Sequence, residues 1–107
     1  MAQSDSSSFA KPTPPDGSKA AVQALWWLKK GGLVMSTEWE KAHAICQQDE
    51  GNPDYDQVHA LAHWIEGDES NARYWYRRTG SKRAASIAEE WERVVAQIAH
   101  VPTQIRS

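Results

Sequence analysis

One cysteine, Cys46, is all the thiol chemistry in these 107 residues, which excludes an intramolecular disulfide and any cysteine-built zinc cage. Long apolar runs are missing as well. The longest uninterrupted one covers residues 24–28, far below the roughly 20 residues that a bilayer span needs. The first residues carry no apolar stretch of the signal-peptide kind, so neither insertion nor secretion is expected, and a reducing cytoplasm is the expected setting. Excess charge is scarce: the formal net charge is −2, too little for the whole molecule to attract nucleic acid or a membrane. There is no glycine-rich phosphate loop, no nucleophile elbow and no sustained apolar alternation of β-branched residues, so a sheet is not expected either. The length admits one domain and no deep cleft between lobes.

What the chain does have is tryptophan, six of them, set among good helix formers and punctuated by glycine. Each indole can bury on the order of 150–250 Å², a useful supplement for so small a core. Residues 1–17 are rich in serine and proline and too poor in apolar surface to offset their ordering entropy. They read as a flexible tail whose one aromatic, Phe9, is the residue able to dock. A single helical domain is expected over 18–100, with a flexible end at 101–107.

Five helices are predicted in that domain. Ser18 is placed to cap a first helix over 19–30, with Ala20, Ala21, Ala24, Leu25 and Leu28 inside and Gly31 and Gly32 after it. Thr37 and Glu40 have capping-box spacing ahead of Trp39, Ala42, Ile45 and Cys46, a stripe that lasts until Gly51. Past Pro53, a third helix over about 55–66 carries Val58, Leu61, Ala62 and Ile65. A fourth, over about 70–78 and stopped by Gly80, is tied so closely to it that the two must fold back antiparallel. The fifth is expected from Ser81 as cap to about 98, burying Ala84, Ile87, Ala88, Trp91, Val94, Val95 and Ile98 while Glu89, Glu90, Glu92 and Arg93 face water.

The run Val22-Gln23-Ala24-Leu25 is echoed by Val58-His59-Ala60-Leu61, each followed by a glycine and then by an alanine, Ala42 or Ala72, in the next helix. The stretch Gly67-Asp68-Glu69-Ser70-Asn71-Ala72, with Tyr76 beyond it, resembles the inter-helix turn and second helix of a tetratricopeptide repeat. The resemblance implies an all-α array of two antiparallel hairpins and a capping helix. A segment running from His59-Ala60-Leu61 through Glu66-Gly67-Asp68 and Asn71-Ala72 to Tyr74-Trp75-Tyr76-Arg77-Arg78 and Gly80 is similar to one in a group of short bacterial proteins. That likeness implies the same hairpin and brings no activity, cofactor or partner with it.

Four groups of residues are candidates for chemistry. His59, His63 and Glu66 lie four and three apart on one helical face, and His43 on the preceding helix could add a ligand, so a metal or small-ligand site is one reading. The structural alternative is that they flank the apolar stripe and hydrogen-bond a neighbour; no metalloprotease-type glutamate follows the first histidine. Arg73, Tyr74, Trp75, Tyr76, Arg77, Arg78, Lys82 and Arg83 combine five cations with three aromatics and no acid, as phosphate contact and base stacking require. Their structural alternative is a basic helix end complemented by the acids of 49–56 and 66–69. Cys46 with His43 has nucleophile spacing, but a thiol on a mid-helix apolar stripe is expected to be packing. Finally, Trp26 and Trp27 are adjacent and cannot both face one core, so Trp27, Trp64 and Trp75 with Arg77 and Arg78 are candidates for an interface.

On balance the sequence leads to a non-enzymatic module with no cofactor, binding a protein partner or itself through that aromatic and arginine surface. A metal or ligand site at His43, His59, His63 and Glu66 comes second, and nucleic-acid binding by the basic segment third. Convergence of three of the four site residues on one point would favour the second reading.

Overall fold

In the computed structural model, residues 9–98 are described; the expected flexible end at 101–107 and the first eight residues of the tail lie outside them. Five α-helices and no strand are present among the described residues: α1 Ala20–Lys30, α2 Thr37–Cys46, α3 Pro53–Glu66, α4 Glu69–Thr79 and α5 Ile87–Ile98. A 3₁₀ turn, Gln47–Asp49, extends α2. The pairs α1–α2 and α3–α4 pack as hairpins, and α5 lies across α1 and α3. No helix among these residues is long and apolar enough to cross a membrane.

The hairpins close where the glycines stand. Gly67 has φ +87°, the left-handed conformation that an L side chain resists. Its N–H donates to the Trp64 carbonyl and that of Asp68 to the His63 carbonyl, so α3 ends and α4 begins within two residues. Gly31 serves close approach instead. A Cβ there would stand 2.6 Å from Ser36 Oγ and 2.8 Å from Glu38 Cβ, so the start of α2 can fold against the end of α1 only over a bare backbone.

Both hairpins contribute to one core, in which Leu25, Leu28, Cys46, Val58, Leu61 and Val94 are fully buried. Two indoles fasten the helices together. Trp39 Nε1–H donates to the Ala62 carbonyl at 2.8 Å, joining α2 to α3, and Trp91 Nε1–H donates to the Leu25 carbonyl at 2.8 Å, joining α5 to α1. Each thus satisfies its one polar atom while burying a large apolar surface. Phe9 packs against Trp26 and Trp91, at ring-centroid distances of 5.9 and 6.1 Å, and its carbonyl accepts from Lys30 Nζ. The aromatic of the tail docks. In the second hairpin Ala60 and Ala72 are fully buried, and their small size lets α3 and α4 approach closely.

Several helix starts differ from expectation. Ser18 does not cap α1: its hydroxyl donates to the Pro15 carbonyl. The cap of α2 is Ser36, accepting from Trp39 N–H, while Thr37 is the first helical residue. Helix α3 begins at Pro53 itself, since proline lacks the N–H that the first turn leaves unbonded anyway, and Asn52 caps it through Asp54 N–H.

The largest correction concerns α5. Residues 81–86 are not helical, Ser81 caps nothing, and Ser86 accepts from Glu89 N–H at the true start. Glu90, expected in water, is fully buried, and Ala88 is exposed. The reason is a polar knot. The Glu90 carboxylate accepts from Tyr76 Oη at 2.8 Å, from Ala84 N–H at 2.7 Å and from Arg93 Nε and Nη2 at 2.9 and 2.7 Å. Taking the Ala84 N–H into this knot holds 81–86 as a connecting strap. Burial alone would raise the Glu90 pKa, but the Arg93 guanidinium, the Ala84 N–H and the Tyr76 hydroxyl outweigh it and hold the carboxyl below its usual range.

Candidate metal centre

Helix α3 presents His59 and His63 one turn apart, and α2 presents His43 opposite them. The register between the helices is set by Trp39, whose indole is bonded to the Ala62 carbonyl and whose ring stacks on His43, four residues on, at 4.8 Å and 11°. The three imidazoles then form one cluster. Centroid distances are 4.9 Å for His43–His59, 5.1 Å for His43–His63 and 4.8 Å for His59–His63. One ring nitrogen of each lies within 4.8 Å of the other two, and the Nε2 atoms of His43 and His59 are 3.1 Å apart.

Those distances suit a shared ion. Two imidazole nitrogens bound at about 2.0–2.1 Å to a tetrahedral zinc stand about 3.3 Å apart, so the His43–His59 pair has nearly that spacing, with a His63 ring nitrogen within 4.8 Å of both. Glu66 completes the arrangement: its Oε1 lies 2.8 Å from His63 Nδ1. A carboxylate on Nδ1–H fixes the tautomer that leaves Nε2 as the lone-pair nitrogen, the role outer-shell carboxylates play toward metal-bound histidines. Asp68 also lies near His63 and Glu66, but both its oxygens accept from Asn71 at the start of α4.

As the structural alternative expects, the His43–His59 contact is a hydrogen bond between neighbouring hairpins, one imidazole donating to the other, yet one ring nitrogen is left over. His59 is 2% exposed and its Nδ1 is buried without a hydrogen-bond partner, a defect that costs on the order of 1–3 kcal/mol and that an apolar side chain would not incur. Its other face stacks on Trp75 at 4.3 Å. Burial, then the neighbouring His63 and His43, push the His59 pKa down to about 3. Burial, then His63, lower that of His43, with Glu66 and Glu50 opposing. Both rings are therefore neutral at physiological pH, as ligation requires. His43 is half-buried, the most accessible of the three.

The remaining candidates are dispersed. Trp75 is 7% exposed, a core residue under the Arg78 guanidinium rather than an interface anchor; its face is taken by His59. Trp27 is half-buried beneath Lys41 and Trp64 beneath Arg83. Arg77 and Arg78 are exposed, yet no tryptophan joins them in an open aromatic patch. Tyr76 is buried on Glu90, which leaves Tyr74 as the exposed aromatic of the basic segment. Arg78 lies 3.9 Å from Asp56 and Arg83 2.7 Å from Glu69, so acids from both expected stretches are partners. Cys46 is buried, and burial with the nearby Asp56 pushes its thiol far above the usual range, consistent with packing.

Sequence reasoning missed Trp39 and Trp75, the two rings that sandwich the histidines. The i, i+4 spacing of Trp39 and His43 was the available signal for the first; nothing local marks the second. Comparison of the chain with family models, with curated proteins and with solved structures returns no significant match.

Proposed function

We propose that this protein binds a divalent transition-metal ion through His43, His59 and His63, with Glu66 orienting His63. The observation that carries the reading is the meeting of three imidazoles from two helices, with one ring nitrogen of each within 4.8 Å of the others. An all-imidazole donor set suits zinc, copper, nickel or iron and disfavours magnesium and calcium, which prefer oxygen. Three protein ligands leave a coordination position for water or an external group. A tetratricopeptide-like stacking of the hairpins, supported by the Ala60–Ala72 approach, and a reducing cytoplasmic setting compatible with the free Cys46 complete the reading.

The test is thermal melting after chelator treatment, with zinc, nickel or cobalt then added back. Ligand at about 100 times its Kd contributes about 2.7 kcal/mol, which for this size raises the Tm by on the order of 10 °C. Cobalt should also give the visible absorption of a tetrahedral site. His43→Ala, a half-exposed position, should fold and lose both effects; equal shifts in wild type and variant, or none in either, would sink the assignment.

A further inference from the structure

A second site is carried by different residues. A cleft of about 460 Å³ lies between α4 and the strap that follows it, within the roughly 300–1,000 Å³ typical of small-molecule pockets. Arg73 and Arg77, one helical turn apart, line it from α4, and Ser81, Lys82 and Arg83 line it from the strap. Its one acid, Glu69, is already engaged by Arg83 at 2.7 Å and by Arg73 at 3.4 Å. Arg77 and Lys82 make no ion pair among the described residues. Four cations against one carboxylate concentrate positive charge in a protein whose net charge is −2. The wall is also held in place. Tyr76 lines the cleft and donates to Glu90, and the same Glu90 takes the Ala84 N–H, so the strap bearing Lys82 and Arg83 is anchored from beneath.

We infer that this cleft binds a small organic phosphate of about nucleotide size, its phosphates held by Arg77 and Lys82 with Arg73 and the Ser81 hydroxyl beside them. Guanidinium forks and an ammonium are the donors that phosphate oxygens select. Single-stranded nucleic acid fits less well. It needs aromatic faces in series beside the cations, whereas Trp75 and Tyr76 are buried and Tyr74, under the Arg78 guanidinium, does not line the cleft.

Isothermal titration at low salt with adenosine diphosphate, inorganic pyrophosphate and an oligothymidylate of about 20 nucleotides tests the inference. The diphosphate should bind wild type, pyrophosphate should displace it, and Arg77→Ala/Lys82→Ala should weaken binding by about tenfold or more, as expected for lost charge-assisted hydrogen bonds. Both substituted side chains are exposed, and an unchanged helical circular-dichroism spectrum confirms folding. Lys11→Ala/Lys19→Ala, two exposed cations outside the cleft, should leave the affinity unchanged. No binding of the diphosphate, equal loss in the two double variants, or no displacement by pyrophosphate would overturn the site. Tight oligothymidylate binding that the diphosphate does not compete would replace it with a nucleic-acid surface. None of these readouts depends on metal, so failure here leaves the histidine centre standing.

Discussion

Glu90 is fully buried yet held in its charged form by the groups around it. Breaking a buried, hydrogen-bonded ion pair costs about 3–5 kcal/mol because the surviving partner is left uncompensated. Glu90→Gln should therefore lower the urea-unfolding free energy at pH 7 by about 3 kcal/mol. The pH dependence has a definite sign. The folded-state pKa of Glu90 lies below its ordinary value of 4.5, so its contribution is complete above that value and disappears as pH falls through the folded pKa. The gap between wild type and Glu90→Gln should accordingly narrow in acid; a gap constant from pH 7 to pH 3 would mean that the carboxylate is not the source. None of this was legible in the sequence. Glu90 sits among Glu89, Glu92 and Arg93 on what reads as a wet face, and its partners Tyr76 and Ala84 meet it only after α4 and the strap have folded. His59, His63 and Glu66 were legible, because spacings of four and three put them on one face whatever the tertiary structure. The joining of His43 to them depends on how α2 crosses α3, which the Trp39–Ala62 bond decides.

For the individual helices, the existence and order of all five, and four of their starts to within two residues, could be read from the sequence, while the capping residues and the start of α5 could not. Capping types crowd the starts, serine and threonine at α2 and α5, asparagine and aspartate at α3 and α4, and which side chain reaches the first-turn amides depends on the direction of the incoming chain. At α5 two serines compete. Local pattern favours Ser81 because the apolar period extends back to Ala84; the Glu90 knot favours Ser86 because it draws Ala84 out of the helix. Since a lost side-chain cap costs about 1 kcal/mol, Ser86→Ala should destabilise by about that much and Ser81→Ala by no more than a few tenths. Chemical denaturation of the two variants distinguishes them, and a larger loss from Ser81→Ala would put the start of α5 back at the strap.

In the molecule as a whole, the histidine centre spans the boundary between the two hairpins, α2 belonging to one and α3 to the other. An ion bound there resists their separation. Hydrogen exchange should therefore slow along α2 when zinc is supplied, by about a hundredfold at 100 times Kd for amides that open only when the hairpins part. Exchange in α2 that ignores zinc, in a protein whose melting responds to it, would place the ion elsewhere.

The bond from Trp91 to the Leu25 carbonyl bridges 66 positions of chain, and it shapes the order in which the protein can be assembled. Neither hairpin owns its outer wall; the first helix keeps an open flank until the fifth arrives. A nascent polypeptide leaving the ribosome must wait, with indoles uncovered, until the fifth helix has emerged, so closure of this wall follows both hairpins rather than accreting repeat by repeat.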